Sequence, residues 1–213
     1  MTALAPWHHG FHGLLAGSVY AAPDSRVDAA MALAESGLDV HVDVMAVSEG
    51  LPAGVSLAEL QMISAVVDRR KIGVHLIGSG DFVDAVLPKI LTLRPGVVFL
   101  PWKAFSPDRA QAIRAADGSA WIAVWREWDG LGEPQWPTDP DGVLVMLIEP
   151  GTRDHCKLDR LGLVTACTTR FSELPVAVDG GVTEEIAPLC AAAGVQQMVV
   201  GRALLTSERK EAI

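Results

Sequence analysis

Eight short apolar and β-branched runs recur along the chain at a nearly constant interval, and this recurrence constrains the fold more than any other feature. They occupy residues 13–20, 39–45, 72–77, 97–101, 120–125, 142–148, 175–178 and 197–200. With Ser18, Asp43, His75, Leu100, Trp125, Met146, Asp179 and Gly201 marking the strand ends, successive markers lie about 26 residues apart on average. That interval holds one strand, one helix and two short loops. Most runs are followed by an Ala/Leu-rich amphipathic segment, the pattern of repeated βα units. Eight equal units close naturally, so the expected fold is α/β, a (β/α)8 TIM barrel over residues 1–213 as one domain.

The intervening segments carry ordinary helix boundaries. Residues 25–36 are Ala-rich and stop before Gly37, 57–67 follow a Ser56 cap candidate, and 81–93 end before Pro95. Residues 107–116 open with Ser106-Pro107, a cap followed by proline at the first helical position, and 183–193 open with Thr183-Glu184-Glu185 and close at Gly194. Residues 126–141 break the pattern. Trp128, Trp136, Pro134, Pro137 and Pro140 leave no 3.6-residue apolar period there, which predicts irregular loop in place of the fifth helix.

Charge and composition exclude several partner classes. The chain has 213 residues, half of them apolar, enough for a sizeable core, and carries a formal net charge of -9. No basic run exceeds Arg69-Arg70-Lys71, so no nucleic-acid partner is expected. Apolar stretches such as 143–148 fall far short of the roughly 20 residues that span a bilayer, and no basic flank precedes an apolar run at the N-terminus; no membrane partner and a cytoplasmic location are expected. Cys156, Cys167 and Cys190 are odd in number and lack CxxC spacing, which predicts reduced thiols. His8, His9 and His12 show no regular spacing and are expected to be exposed.

In a parallel barrel the C-terminal ends of different strands converge on one mouth, so polar residues ending apolar strands are the candidates for chemistry. His41 and Asp43, two apart, share one face of their strand while Val42 and Val44 face the helices. His75 and Asp179 end two other strands. Each taken singly reads as a solvated or hydrogen-bonded loop residue. Together, two imidazoles and two carboxylates can hold one divalent ion of the zinc, iron, manganese or cobalt kind, which removes the cost of burying them unpaired. Gly180-Gly181 and Gly201-Arg202 follow strands seven and eight, the usual place for a phosphate in such barrels; a glycine turn plus a surface arginine is the alternative. Trp121 and Trp125 share strand parity and fit barrel packing at least as well as a sugar platform.

These residues resemble the ribulose-phosphate 3-epimerase family along nearly the whole chain. His41-Val42-Asp43-Val44-Met45 resembles its HVDVMDG strand, and Val74-His75-Leu76-Ile77 its VHLM strand. Val143-Leu144-Val145-Met146 with Glu149-Pro150-Gly151 resembles LVMxVxPG, Val178-Asp179-Gly180-Gly181 resembles VDGG, and Gly17-Ser18-Val19 stands where the family has PSI. The resemblance implies that His41, Asp43, His75 and Asp179 bind one divalent metal ion, that Asp43 and Asp179 exchange protons with the substrate, and that Ser18, Met45 and Met146 line the pocket. It further implies a sugar-phosphate substrate held near Gly151, Gly180, Gly181, Gly201 and Arg202, and a homo-oligomer. The short segment 206–213 after the eighth strand also leaves apolar surface for a partner.

The loops differ from the family. Met45-Ala46-Val47-Ser48 stands for the MDGxFVPN loop, and Pro150-Gly151-Thr152-Arg153 keeps one of the three glycines of the PGFGGQ phosphate loop. Gly201-Arg202 replaces Gly-Ser and resembles the Gly-Arg of related decarboxylase barrels, whose Asp-x-Lys-x-x-Asp strand has no counterpart in this sequence. The expected function is therefore metal-dependent epimerisation or isomerisation of a sugar phosphate, with a non-catalytic, ligand- or partner-binding barrel as the alternative.

Overall fold

The computed structural model describes residues 2–207, and its repeated βα units close on themselves. Strand β1 (Thr2–Leu4) precedes the ring. The barrel strands are β2 (Leu15–Ser18), β3 (Asp39–Met45), β4 (Ile72–Ile77), β5 (Val97–Pro101), β6 (Ser119–Val124), β7 (Gly142–Met146), β8 (Val176–Asp179) and β9 (Gln197–Val200); β10 (Leu205–Ser207) follows. Every barrel neighbour pairs in parallel, and β9 pairs with β2 to close the ring. The fold is the TIM barrel that the sequence period predicts.

Strand alternation divides the core into two layers. On β3, Val40, Val42 and Val44 enter the outer layer between sheet and helices, while Asp43 and Met45 face the barrel's central cavity. The inner layer is packed by Phe99, Trp121, Leu144 and Met146 on the β5–β7 side. Two glycines make room for its large rings: a Cβ on Gly73 would stand 2.9 Å from Phe99, and one on Gly142 would stand 2.3 Å from Trp121. Toward the C-terminal ends of β2, β3, β4 and β8 the inward positions include the polar residues Ser18, His41, Asp43, His75 and Asp179.

Side-chain caps set most helix starts. Ser25 accepts from the Asp28 amide ahead of α1 (Arg26–Glu35), and Ser56 forms a reciprocal capping box with Glu59 ahead of α2 (Leu57–Val66). Ser79 accepts from the Phe82 amide ahead of α3 (Gly80–Leu91), and Ser106 accepts from the Arg109 amide ahead of α4 (Pro107–Ala115). Two further helices are α5 (Leu161–Arg170) and α6 (Ala187–Ala192).

The structure corrects the sequence reading in four places. The segment expected to be helical over 183–193 is α-helical only at Ala187–Ala192, because the Thr183 hydroxyl bonds the Glu185 carboxylate in a preceding turn. The sequence reading set no bounds for helix α5; its ten residues include Gly162 and three threonines, poor helix formers, and only the buried Leu163, Val164 and Cys167 betray its period. His8 is buried rather than exposed, because the turn Pro6–Phe11 is drawn onto the barrel by Trp7, whose Nε1 donates to the Ala203 carbonyl at 3.0 Å. The segment after the eighth strand does not run alone: β1 pairs antiparallel with β10, with Leu4 opposite Leu205. Of that segment, residues 208–213 lie outside the described residues.

Residues 126–141 contain no helix, as the prolines predict. An aromatic cluster takes its place. The Trp136 ring lies tilted 4.9 Å from Trp102 and meets both Trp128 and Phe171 edge to face at 6.0 Å. The three cysteines are free thiols, and burial raises those of Cys167 and Cys190 to about 12 and about 11.

Candidate metal centre and active site

The two residues of β3 that face inward at its C-terminal half meet one residue each from β4 and β8. Among the described residues, His41, Asp43, His75 and Asp179 form the group whose donor atoms converge, all lying within 4.8 Å of one another. His41 Nε2 is 3.2 Å from Asp43 Oδ1 and 3.8 Å from Asp179 Oδ2. His75 Nδ1 is 3.3 Å from Asp43 Oδ1 and 3.7 Å from Asp179 Oδ2. Both imidazoles therefore straddle both carboxylates. His41 and His75 are each 1% exposed and Asp43 is 6% exposed, while the Asp179 side chain is 16% exposed on the cavity side.

At Asp43 and His75 burial favours the neutral form, and the opposing charges overcome it. Desolvation alone would raise Asp43; the His41 and His75 imidazoles outweigh it and hold the carboxyl well below the usual carboxylate range. Desolvation likewise opposes a charged His75, but the Asp179 and Asp43 carboxylates push its pKa up to about 9. The Ser18 hydroxyl donates to Asp43 Oδ2 at 2.9 Å and fixes that carboxylate from the neighbouring strand.

The residues present fit a divalent ion. His75 Nδ1 is buried and has no well-directed hydrogen-bond partner, an orphan that a metal would satisfy. Two imidazole nitrogens and two carboxylate oxygens suit the borderline ions zinc, iron, manganese and cobalt.

Above the cluster opens a cavity of about 610 Å³. Asp43 and Asp179 line it while the imidazoles sit behind them, and Ser18, Met45, Met146, Gly151, Gly180, Gly181, Gly201 and Arg202 line it as well. The structure thus brings every sequence-predicted site residue to one place. Positive φ explains three of the glycines, Gly151 at 78°, Gly180 at 118° and Gly181 at 67°; the last two turn the chain sharply and let the sixth loop approach, with a Cβ on Gly181 only 2.7 Å from the Cys156 amide nitrogen. Sequence reasoning missed Tyr20, which lines the cavity from the turn after β2, and Arg160. Arg160 donates to the Met146 and Trp125 carbonyls and pins the ends of β7 and β6 together.

Fold and site together define a (β/α)8 barrel with a His2Asp2 group at the C-terminal mouth. The sequence pattern of the ribulose-phosphate 3 epimerase family matches residues 135–205, which carry β7, the sixth loop, Asp179 and Gly201-Arg202. The barrel superposes on phosphoribosyl anthranilate isomerase from Thermus thermophilus with a TM-score of 0.61 and 14% identity over 89% of this chain and 88% of that one. Orotidine 5'-monophosphate decarboxylase from Sulfolobus solfataricus gives 0.54 and 12% over 88% and 87%. Phosphoribosyl anthranilate isomerase from Thermococcus kodakaraensis gives 0.61 and 12% over 90% and 89%. At such identities the superpositions speak for the fold alone. The C-terminal third of the chain is thus similar to the ribulose-phosphate 3 epimerase family, on a barrel fold that the whole chain shares with these isomerases and decarboxylases.

Proposed function

We propose that this protein is a metal-dependent isomerase that epimerises a sugar phosphate by proton transfer between Asp43 and Asp179. The observation that carries this reading is the meeting of two carboxylates, from β3 and β8, on two buried imidazoles at the floor of one cavity. Moving a proton at a carbon beside a carbonyl requires a base on one face and an acid on the other, and carboxylates from separate strands supply both. Asp43, held ionised by the imidazoles and steadied by Ser18, is suited to take the proton, and Asp179 to return one from the other side. His41, Asp43, His75 and Asp179 would hold the ion, which when bound supplies positive charge against the oxygen that becomes anionic between the two transfers. Met45 and Met146 offer the apolar walls that exclude water, and Gly151, Gly180, Gly181, Gly201 and Arg202 receive the phosphate end.

Two findings favour proton transfer over decarboxylation despite the decarboxylases among the structural neighbours. Strand β3 carries His41 and Asp43 with no lysine, and the family match in the C-terminal third is to an epimerase family. Incubation in deuterium oxide with a panel of ketose phosphates and free ketoses tests the reading without knowledge of the product. The parent protein is expected to wash label into the carbon beside the carbonyl of at least one, and Asp43→Asn or Asp179→Asn to abolish it. Exchange by either variant at the parental rate would overturn the two-carboxylate mechanism.

A further inference from the structure

The cavity has a charged roof as well as a charged floor, and its arginines differ from most others in the chain. Arg26, Arg70, Arg94, Arg109, Arg114 and Arg170 each lie within 4.0 Å of a carboxylate. Arg160 is spent on main-chain carbonyls. Among the described residues, Arg153 and Arg202 have no carboxylate within that distance, and both line the cavity above Asp43 and Asp179. Arg69 and Arg126 are likewise unpaired but lie outside it. A protein with 26 acidic and 17 basic residues has carboxylates to spare, so two bare guanidiniums on one cavity leave room for an anion from outside. Asp154 also lines the cavity, but its carboxylate accepts from the His155 amide at 2.8 Å and lies 3.7 Å from Lys157 Nζ.

Arg153 is placed without consuming its hydrogen-bonding capacity. Its guanidinium carbon lies 5.5 Å from the centre of the Tyr20 ring, which is flanked by Arg26 at 5.8 Å. Arg26 is itself fixed by Glu59 and the Gly54 carbonyl. Stacking on an aromatic ring orients the planar fork and leaves its N–H groups free to donate. Arg202 Nη2 reaches the Arg153 carbonyl at 3.4 Å, which joins the eighth-strand loop to the sixth. The sixth loop is also seated at Gly151, where a Cβ would stand 3.0 Å from Leu51.

We infer that Arg153, seated on Tyr20, is the specificity-determining residue that selects phosphorylated substrates, gripping the phosphoryl group together with Arg202. The inference rests on the sugar-phosphate reading above. Side-chain forks thus do here what a glycine-rich loop would do with main-chain amides, which accounts for a sixth loop that is poor in glycine. A phosphoryl dianion matches two guanidiniums in charge and offers each a pair of oxygens.

Isothermal titration of the zinc-loaded protein with inorganic phosphate, ribulose 5-phosphate and unphosphorylated ribulose tests it. Arg153→Ala is expected to weaken both phosphate-bearing probes roughly 10- to 100-fold, the worth of a charge-assisted hydrogen bond, with ribulose binding and zinc content unchanged. Arg153→Lys should recover part of the loss. Tyr20→Phe keeps the stacking surface and should bind like the parent, whereas Tyr20→Ala should lose affinity as Arg153→Ala does. In the exchange assay the loss should appear in KM and leave the rate at saturation near the parental value. Parental affinity for both phosphate-bearing probes in Arg153→Ala overturns the inference, and so does equal weakening of ribulose. The two readings fail separately. Label exchange with unchanged KM in Arg153→Ala removes the grip and keeps the isomerase, while Arg153-dependent phosphate binding without exchange on any ketose phosphate removes the isomerase and keeps the grip.

Discussion

His75 Nδ1 lies 3.3 Å from Asp43 Oδ1 and 3.7 Å from Asp179 Oδ2, yet makes a well-directed hydrogen bond to neither. Proximity without hydrogen-bond geometry suits side chains that would share one ion. The two carboxylates favour a proton on the imidazole.

A pH dependence of the metal-free protein follows from this pairing. The His75 pKa, pushed up to about 9, exceeds its unfolded value, so its contribution to stability is complete below about pH 6.5 and is lost as pH rises through about 9. Asp43 is displaced the other way, so its contribution is present above about pH 4 and is lost as pH falls below that. Denaturant midpoints with chelator present should therefore decline between about pH 6.5 and 9. Zinc bound at the proposed site would displace the His75 proton, so titration near pH 7.5 in buffers of different ionisation enthalpy should show about one proton released per ion. A midpoint that stays flat across this range with no proton released would show that His75 is neutral in the metal-free site.

Packing of the barrel interior makes a second prediction. Gly142 leaves the space that Trp121 fills, and a Cβ there would stand 2.3 Å from the indole. Trp121 is hemmed in on its other side by Phe99, 5.5 Å away, and cannot move without repacking the inner layer. Gly142→Ala should cost about 1 to 3 kcal/mol, the range for overpacking a core, in urea denaturation. A change below about 0.5 kcal/mol would mean that the inner layer is loosely packed.

The tryptophan cluster supports a third. Trp128 is buried, packs 6.0 Å from Trp136 and 6.1 Å from Phe171, and donates its indole N–H to the Leu131 carbonyl. No helix stands between β6 and β7, and in that connection these rings pack against the hydrophobic core. Trp128→Ala should destabilise the fold by about 3 to 5 kcal/mol, as large-to-small changes of buried aromatics do, and should leave zinc stoichiometry intact in the folded fraction. A loss near zero would mark the segment as dispensable to the barrel.

The barrel and its polar centre were legible because both depend on short-range sequence periods. The alternation that buries Val40, Val42 and Val44 on one side necessarily turns His41 and Asp43 to the other. His75 and Asp179 stood out as ionisable residues ending apolar strands. What was not legible depends on non-local contact or on weak propensity. The pairing of Leu4 with Leu205 joins segments about 200 residues apart and leaves no periodic trace in either. Tyr20 reaches the cavity only because the chain after β2 turns through Val19–Ala21, and its role as a platform depends on Arg153, far away in sequence. Helix α5 is imposed by the burial of Leu163, Val164 and Cys167 on a segment whose own residues favour other states.

The last prediction separates the positioning of Asp43 from its chemistry. Ser18 Oγ donates to Asp43 Oδ2, the oxygen turned away from the imidazoles, while Oδ1 faces both His41 and His75. The hydroxyl therefore holds the carboxylate plane without competing for the oxygen that faces the imidazoles. Ser18→Ala removes one hydrogen bond to a buried charge and should slow exchange by about 10- to 100-fold, equivalent to about 1.5 to 3 kcal/mol. Zinc content should stay close to one ion per chain, because both imidazoles and both carboxylates remain. Ser18→Thr keeps the donor and should recover much of the rate if the added methyl is accommodated. Loss of zinc in Ser18→Ala would show that the hydroxyl organises the ion site itself, whereas an unchanged exchange rate would show that the imidazoles alone fix Asp43.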